Sequence, residues 1–179
     1  MALLLQAGIA YHLYNRGNNR ERIFREERNY IYFLKLYDRH ISPVAETYAY
    51  CLLPNHFHFS VRIRDDAPDG QRISRCFANL FNAYARSFNR SYRRSGVLFE
   101  RSFERKAVTD DRYLRQLIIY IHRNPQRHGL IDDFRTWTYS SYQTLIGTQP
   151  TRLKRDTVLT SFGGLSEFIA AHKDDFEDL

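Results

Sequence analysis

Apolar and polar residues follow two different periods along this chain, and the periods predict its elements. Alternation at every second residue predicts half-buried strands, and apolar residues three and four apart predict helices that bury one face. The order from the amino terminus is strand, helix, strand, strand, helix, strand and then a third helix. The strands are predicted at residues 8–15, 48–53, 54–61 and 97–108, and the helices at 28–41, 71–92 and 113–124.

Prolines mark where several of these elements end. Pro54 and Asn55 form a turn signal, so the second and third strands are predicted to form a hairpin. Pro43 ends the first helix and Pro125 ends the third, because the residue before a proline is pushed out of the helical region. Beyond residue 142 the patterns predict a loop at 148–153 and two short helices at 157–162 and 165–172.

Two histidines stand one residue apart in the third strand. In the run P-N-H-F-H-F-S-V, His56 and His58 share one face of the strand and the two phenylalanines share the other. Neutral imidazole is a common metal ligand, and this spacing suits one ion bound by two nitrogens. His12 of the first strand can lie beside the same face. Two ligands alone do not make a metal site. The alternative is therefore that one histidine is half-buried and the other lies on the surface.

The third helix brings a hydroxyl group and an amide to one face. Tyr120 and Asn124 are four residues apart, so they lie one turn apart near the end of the helix. The amide oxygen of Asn124 can supply a third metal ligand, and the Tyr120 hydroxyl can act as a nucleophile. The alternative for this tyrosine is an ordinary core or surface position.

The charge balance predicts a polyanionic partner. The net charge is +7 and the isoelectric point is near 9.5. All but four of the 27 basic residues are arginines, whose guanidinium groups bind phosphate through two nitrogens and stack on bases. A nucleic acid is the simplest such partner, and a merely basic protein is the alternative. The candidate contacts are Arg16, Asn18, Arg20, Arg86, Arg101 and Arg105.

Cysteine usage and hydropathy indicate the cellular compartment in which we expect the protein. Cys51 and Cys76 are the only cysteines and form no C-x-x-C motif, which predicts a reduced compartment and no disulfide. Residues 1–10 are apolar but short and lack a basic start, and no other run approaches the length of a membrane span. We therefore expect a soluble cytoplasmic protein that makes no use of a membrane.

Six stretches carry a family resemblance in their order and spacing. They are Y-H-L-Y-N-R-G-N-N-R (11–20), Y-A-Y-C-L-L-P-N-H-F-H-F-S-V (48–61), A-Y-A-R-S-F-N (83–89), G-V-L-F-E-R-S-F (96–103), Y-I-H-R-N-P-Q-R-H-G-L (120–130) and W-T-Y-S-S-Y (137–142). Together they resemble the REP-associated tyrosine transposases. These belong to the superfamily of single-strand, His-hydrophobe-His transposases with one catalytic tyrosine.

The resemblance implies a reaction and a substrate. His56 and His58 would bind a divalent ion, Mg²⁺ or Mn²⁺, and Tyr120 would attack a phosphodiester of single-stranded hairpin DNA. The products would be a 5′-phosphotyrosine link and a free 3′-hydroxyl, and attack by a 3′-hydroxyl would rejoin the strands. In better-known relatives a glutamine one turn beyond the tyrosine completes the metal shell, and here that place holds Asn124. The protein would then be nucleoid-associated when bound to DNA.

The resemblance also implies a fold. We expect an α+β, ferredoxin-like sandwich in which an antiparallel sheet carries helices on one face and the histidine pair on a central strand. Residues 8–146 would form the transposase-like nuclease domain, and residues 147–179 a short helical extension that either caps the core or covers the DNA-binding side. A monomer and a homodimer both remain open.

Two other functions compete with this interpretation. The first is a host-retained protein that binds hairpin DNA or RNA without cutting it, although all three chemical residues are present here. The second is a metal-dependent small-molecule enzyme that uses H-x-H as cupins do. It should carry a glutamate and a distal histidine on later strands, which do not occur at suitable places, and it leaves the arginine excess unexplained.

Overall fold

A four-stranded antiparallel sheet organises the fold, with strand order β2-β3-β1-β4. The computed structural model describes residues 4–100 and 103–173. The strands are β1 (Ala10–Arg16), β2 (Ala45–Leu53), β3 (His56–Ile63) and β4 (Glu104–Ala107). The helices are α1 (Glu27–His40), α2 (Gly70–Ser91), α3 (Asp111–Arg127), α4 (Tyr142–Ile146), α5 (Arg155–Phe162) and α6 (Leu165–Ala171).

The α+β class and the central position of the histidine pair are confirmed. The predicted order of strands and helices is also the observed order up to the end of α3. β3 pairs with β1 on one side and with β2 on the other, and a tight turn at Pro54 and Asn55 joins β2 to β3. In the register between the two central strands, Tyr14 lies opposite His58 and Arg16 lies opposite His56.

Helices cover both faces of the sheet. α1 and α2 pack on the face that carries Phe57 and Phe59. On the opposite face, Ile118 of α3 joins a second apolar cluster with Cys51 and Leu53 of β2. The expectation that the helices lie on one face of the sheet is therefore correct for α1 and α2. It is wrong for α3, which packs on the opposite face. The reason lies in β2, which is apolar on both faces and so needs a helical layer on each.

α3 runs beyond its predicted end. Pro125 lies inside the helix, which continues to Arg127. A proline removes only its own backbone hydrogen bond, and the last turn is held by others. The His128 amide donates to the Asn124 carbonyl at 3.0 Å, and the Leu130 amide donates to the Pro125 carbonyl at 2.9 Å. The prediction that Pro125 ends the helix was therefore wrong.

The fourth extended segment is only partly a strand. β4 pairs with β1 over four residues, and Phe99 forms a single bridge with Gly17. The predicted strand at 97–108 is thus shorter than expected, and Arg101 lies outside the described residues.

The residues after α3 cap the core and cover the outer edge of β2. The backbone amides of Ser141 and Lys154 donate to the carbonyls of Tyr50 and Thr47, both at 3.0 Å. Phe168 of α6 is fully buried in the cluster beneath α3. The predicted pair of short helices is confirmed, and the proposed domain division at residue 147 stays a prediction. Each helix in the described parts of the chain is too short or too polar to span a membrane.

Candidate active site

A cavity of about 610 Å³ opens on the α3 face of the sheet. β1, β3, β4 and α3 all contribute to its wall, together with the loop after β1 and the turn before β3. The residues that line it are His12, Tyr14, Asn15, Arg16, Arg20, Asn55, His56, His58, Glu100, Glu104, Lys106, Tyr113, Tyr120 and His128. The cavity therefore gathers both predicted metal-binding histidines, the predicted nucleophile and two predicted DNA contacts.

Strand geometry explains why three histidines meet in this cavity. His56 and His58 project from β3 toward α3, and His12 projects from the neighbouring strand β1 on the same face. Nε2 of His12 and Nδ1 of His58 are 2.9 Å apart and share one hydrogen bond. Nδ1 of His56 donates to the Oδ1 atom of Asn55 at 2.6 Å. Each β3 imidazole thus has its Nδ1 engaged by a neighbour.

Burial keeps these imidazoles neutral. Loss of solvation lowers the pKa of His56 to about 4 and the pKa of His12 to about 4. The pKa of His58 is lowered well below its ordinary value by burial first, and then by the neighbouring histidines. A neutral imidazole is the form that binds a metal, so the pair is ready for one at neutral pH.

α3 holds Tyr120 over the two histidines. The helix begins at Asp110, whose side chain accepts a hydrogen bond from the Tyr113 amide at 2.8 Å. Its apolar side is buried against β2, and this leaves the half-buried Tyr120 facing β3. The Tyr120 ring meets the His58 ring edge-on, with centroids 5.5 Å apart, and the Arg127 guanidinium lies 5.1 Å from the Tyr120 centroid.

Asn124 is less clearly part of the site. Its side chain is buried, and its amide nitrogen donates to the Tyr120 carbonyl at 2.8 Å within the same helix. Asn124 is absent from the described residues that line the cavity. Its role as a metal ligand therefore stays a prediction.

The sequence interpretation missed His128. This residue lies at the end of α3, and its ring centroid is 4.9 Å from that of His56. Tyr120, Asn124 and His128 recur at intervals of four residues, which places all three on one helix face. That spacing was a usable signal, but the assumption that Pro125 ends the helix removed His128 from consideration.

Two carboxylates from the segment before and within β4 also enter the cavity, and the sequence interpretation missed them too. They are Glu100 and Glu104. The pKa of Tyr14 is raised, first by burial and then by the negative charge of Glu104. In residues 4–100 and 103–173, no three His, Cys, Asp or Glu side chains are arranged to hold one metal ion.

The loop after β1 is held against the turn before β3. The Gly17 amide donates to the Asn55 carbonyl at 2.8 Å, and the Ile23 amide donates to the Pro54 carbonyl at 2.8 Å. Arg20 adopts a left-handed φ of 58°, which is uncommon for a residue with a side chain. Arg16 and Arg20 are exposed on the cavity wall, and Asn18 is half-buried in the same loop.

A second groove of about 850 Å³ lies between α2 and the described residues 96–100 and 103–105. The predicted contacts Arg86 and Arg105 line this groove rather than the first cavity. The Arg105 guanidinium stacks over Phe103 at 4.3 Å from the ring centroid. Asn15 and Glu100 line both spaces, so the groove and the cavity are neighbours.

The sheet and its helices share their fold with a solved structure. A solved structure described as a REP-associated tyrosine transposase bound to a REP hairpin superposes with a TM-score of 0.62. The two sequences are 17% identical, and the match covers 82% of this chain and 84% of that one. At this identity the match establishes the fold.

A sequence relative carries the same family name. A protein of Haemophilus influenzae, named provisionally as a REP-associated tyrosine transposase, is 33% identical over 104 residues. The match covers 54% of this chain and 58% of the relative, so the chain spans little more than half of that protein's length. No protein-family model matches the chain. The two matches confirm the resemblance to REP-associated tyrosine transposases that the motifs indicate.

Proposed function

We propose that this chain is a metal-dependent endonuclease and strand transferase that acts on single-stranded hairpin DNA. The observation that carries the proposal is the position of Tyr120, edge-on to His58 in a cavity that also holds His56. The family name of the sequence relative and the REP hairpin bound by the structural relative support the same activity. The excess of arginine supplies the charge that a DNA partner requires.

The histidine pair has the properties of a metal site. Both imidazoles are neutral, and because their Nδ1 atoms are engaged, each has Nε2 left for a metal. We infer that His56 and His58 hold Mg²⁺ or Mn²⁺, with the amide oxygen of Asn124 as the third protein ligand. When bound, the ion polarises the phosphate and stabilises the departing oxygen.

Tyr120 is the proposed nucleophile. Its hydroxyl oxygen forms a bond to phosphorus while the bond from phosphorus to the 3′-oxygen breaks. The phenol proton passes to solvent water, and the 3′-oxygen takes up one proton from solvent water and departs as a free hydroxyl. The guanidinium of Arg127 lies over the ring and favours the negative charge that develops on the oxygen. Attack by a 3′-hydroxyl on the phosphotyrosine reverses the step.

The basic residues around the cavity are the proposed DNA contacts. Arg16 and Arg20 lie where they can contact the phosphates beside the scissile bond. Arg86 and Arg105 lie in the second groove, where the stacked pair of Arg105 and Phe103 suits an unpaired base. We propose that the hairpin binds at the cavity and that the unpaired strand next to the hairpin follows the second groove.

A cleavage assay tests the activity. A single-stranded hairpin oligonucleotide from beside the gene is incubated with Mg²⁺ or Mn²⁺, and the products are separated on a denaturing protein gel. We expect a covalent protein–DNA band with the native protein and none with Tyr120→Phe. Tyr32→Phe is the matched control, because Tyr32 is exposed on α1 and is predicted to keep the band.

Other outcomes would count against the proposal. A band that survives Tyr120→Phe and disappears in Tyr14→Phe would move the nucleophile to Tyr14, another tyrosine that lines the cavity. Tight, metal-independent binding without an adduct on any hairpin would instead favour the non-cleaving binder.

A further inference from the structure

We propose that His12 and Asn55 are positioning residues that fix the tautomers of His58 and His56, so that both rings present Nε2 to the metal. The proposal rests on the metal site proposed above. It adds two residues that act on the ion through the imidazoles they hold.

The contact between His12 and His58 determines how the two rings carry their protons. A single hydrogen lies between Nε2 of His12 and Nδ1 of His58, because two ring nitrogens 2.9 Å apart in a hydrogen bond have room for only one proton between them. If His58 binds a metal, it does so through Nε2, and its proton then sits on Nδ1. His58 therefore donates and His12 accepts, which places the His12 proton on its own Nδ1. The rings are also stacked, with centroids 5.1 Å apart and planes inclined by 28°.

Asn55 fixes His56 in the same way. Oδ1 of Asn55 can only accept, so Nδ1 of His56 must carry the proton. The orientation of the Asn55 amide follows from its other end, where Nδ2 donates to the Arg20 carbonyl at 3.4 Å. The Asn55 carbonyl also accepts from the Gly17 amide, which anchors the turn. His56 is thus left with Nε2 as its free lone pair.

These partners match the usual construction of metal sites in proteins. A metal-binding histidine normally donates its second ring N–H to a fixed acceptor, and loss of that acceptor typically lowers metal affinity by about 10–100-fold. Here the two acceptors come from different elements, β1 and the turn before β3. We infer that His12 is present for this purpose rather than merely as a satisfied polar residue.

Two substitutions at position 12 distinguish a positioning role of His12 from a role in packing alone. The amide of glutamine can occupy the place of Nε2, whereas the shorter asparagine reaches only the place of Nδ1. His12→Gln therefore keeps an acceptor for His58, and His12→Asn removes it. We expect His12→Asn to bind Mn²⁺ about 10–100-fold more weakly than the native protein and His12→Gln to remain within about threefold. Mn²⁺ titration followed by electron paramagnetic resonance, without DNA, measures this.

The second measurement uses the metal-free protein and is independent of the proposed activity. Nitrogen-15 NMR of the imidazoles reports which ring nitrogen carries the proton. We expect the Nδ1–H form for His58 in the native protein and in His12→Gln, and a mixture of tautomers in His12→Asn. Asn55→Leu should produce the same change in His56 and leave His58 unaltered. Thermal unfolding of each variant confirms that it is folded.

The outcomes distinguish this inference from the proposed function. Equal Mn²⁺ affinities for His12→Asn and His12→Gln, or an unchanged His58 tautomer in folded His12→Asn, would overturn the positioning role. Failure of the native protein to bind Mn²⁺ would refute the metal site, and the NMR spectra would still decide whether His12 and Asn55 fix the tautomers.

Discussion

At the scale of single residues, the proposed metal site depends on which side chain of α3 supplies the third protein ligand. The resemblance assigns this role to Asn124, whose amide nitrogen is engaged by the Tyr120 carbonyl. His128 is the neighbouring imidazole on the cavity wall, although in the described residues His56, His58 and His128 are not arranged around one ion. Imidazole is a stronger ligand for Mn²⁺ than for Mg²⁺, whereas an amide oxygen suits both ions.

Substitution of these two residues gives a direct prediction. We expect Asn124→Ala to lower the affinity for both Mg²⁺ and Mn²⁺ by about 10-fold, because one oxygen ligand is lost. His128→Ala is the matched control, because it removes a neighbouring polar side chain that is not a proposed ligand. It should change either affinity by less than about threefold. Calorimetric titration of each variant measures the two affinities. The reverse order of losses would assign the third ligand to His128.

Residue patterns explain why part of the site could be predicted and part could not. Alternation in β3 places His56 and His58 on one face whatever the rest of the fold does, so local spacing was sufficient. Glu104 reaches the cavity because β4 pairs with β1, and Glu100 because its amide bonds to the Arg16 carbonyl at the end of β1; both are contacts between distant parts of the chain. His128 was missed because a proline near a helix end does not always stop the helix.

At the scale of elements, the loop after β1 links the sheet to the cavity. Gly17 is required there by close packing and not by its φ angle, which is ordinary. A Cβ atom at this position would overlap the carbonyl oxygen of Glu21 and would press on Ile23. Arg16 and Arg20 flank this glycine, so any shift of the loop displaces both cations from the cavity wall.

This crowding predicts the effect of a methyl group. Gly17→Ala should lower the free energy of unfolding by about 1–3 kcal/mol, the usual cost of overpacking, and should weaken hairpin binding. Gly147→Ala is the matched control, because its Cβ would lie 3.1 Å from the Gln143 carbonyl oxygen and needs only a small adjustment. Urea unfolding and a binding titration compare the two. Equal losses of stability in the two variants would mean that the loop accommodates the methyl group.

The elements themselves were well predicted where their periods are long. α1 and α2 begin and end within one residue of the predicted bounds, because three- and four-residue spacing persists over many turns. The second face of the sheet was not foreseen. β2 is apolar on both sides and so calls for a layer on each, but its residues alone do not show which helix covers which face, because that depends on packing between distant segments.

At the scale of the whole molecule, a buried polar network ties α6 to the rest of the chain. His122 bonds to His172 at 2.8 Å through Nδ1 and to the Ser141 hydroxyl at 2.8 Å through Nε2. His172 in turn donates to the Phe168 carbonyl at 2.7 Å. Burial lowers the pKa of His172 to about 4 and that of His122 well below its ordinary value.

These shifts predict how stability depends on pH. The folded state resists protonation of His172, whereas the unfolded chain takes up the proton near pH 6.5. The contribution of buried, neutral His172 to the free energy of unfolding is therefore fully present above pH 6.5. It is lost as the pH falls toward 4. At pH 5 the loss from His172 alone is about 2 kcal/mol. Urea unfolding at pH 7 and pH 5 measures it, and His172→Phe should show a smaller difference between the two pH values. An identical pH dependence in this variant would exclude His172 as a source.

The cavity and the groove lie side by side across Asn15 and Glu100, so one DNA strand can occupy both. We expect Arg86→Ala and Arg105→Ala to weaken binding of a hairpin with an unpaired flank and to leave binding of the bare hairpin nearly unchanged. Each arginine lost should reduce the slope of log Kd against log salt concentration by about 0.7, the value for one contact with a single strand.

Arg152→Ala is the control, because Arg152 pairs with Asp38 beside β2, at the opposite edge of the sheet from β4. Fluorescence anisotropy with the two oligonucleotides makes the comparison. Equal weakening of both oligonucleotides would show that the groove contacts the hairpin itself, and no weakening of either would remove the groove from the DNA path.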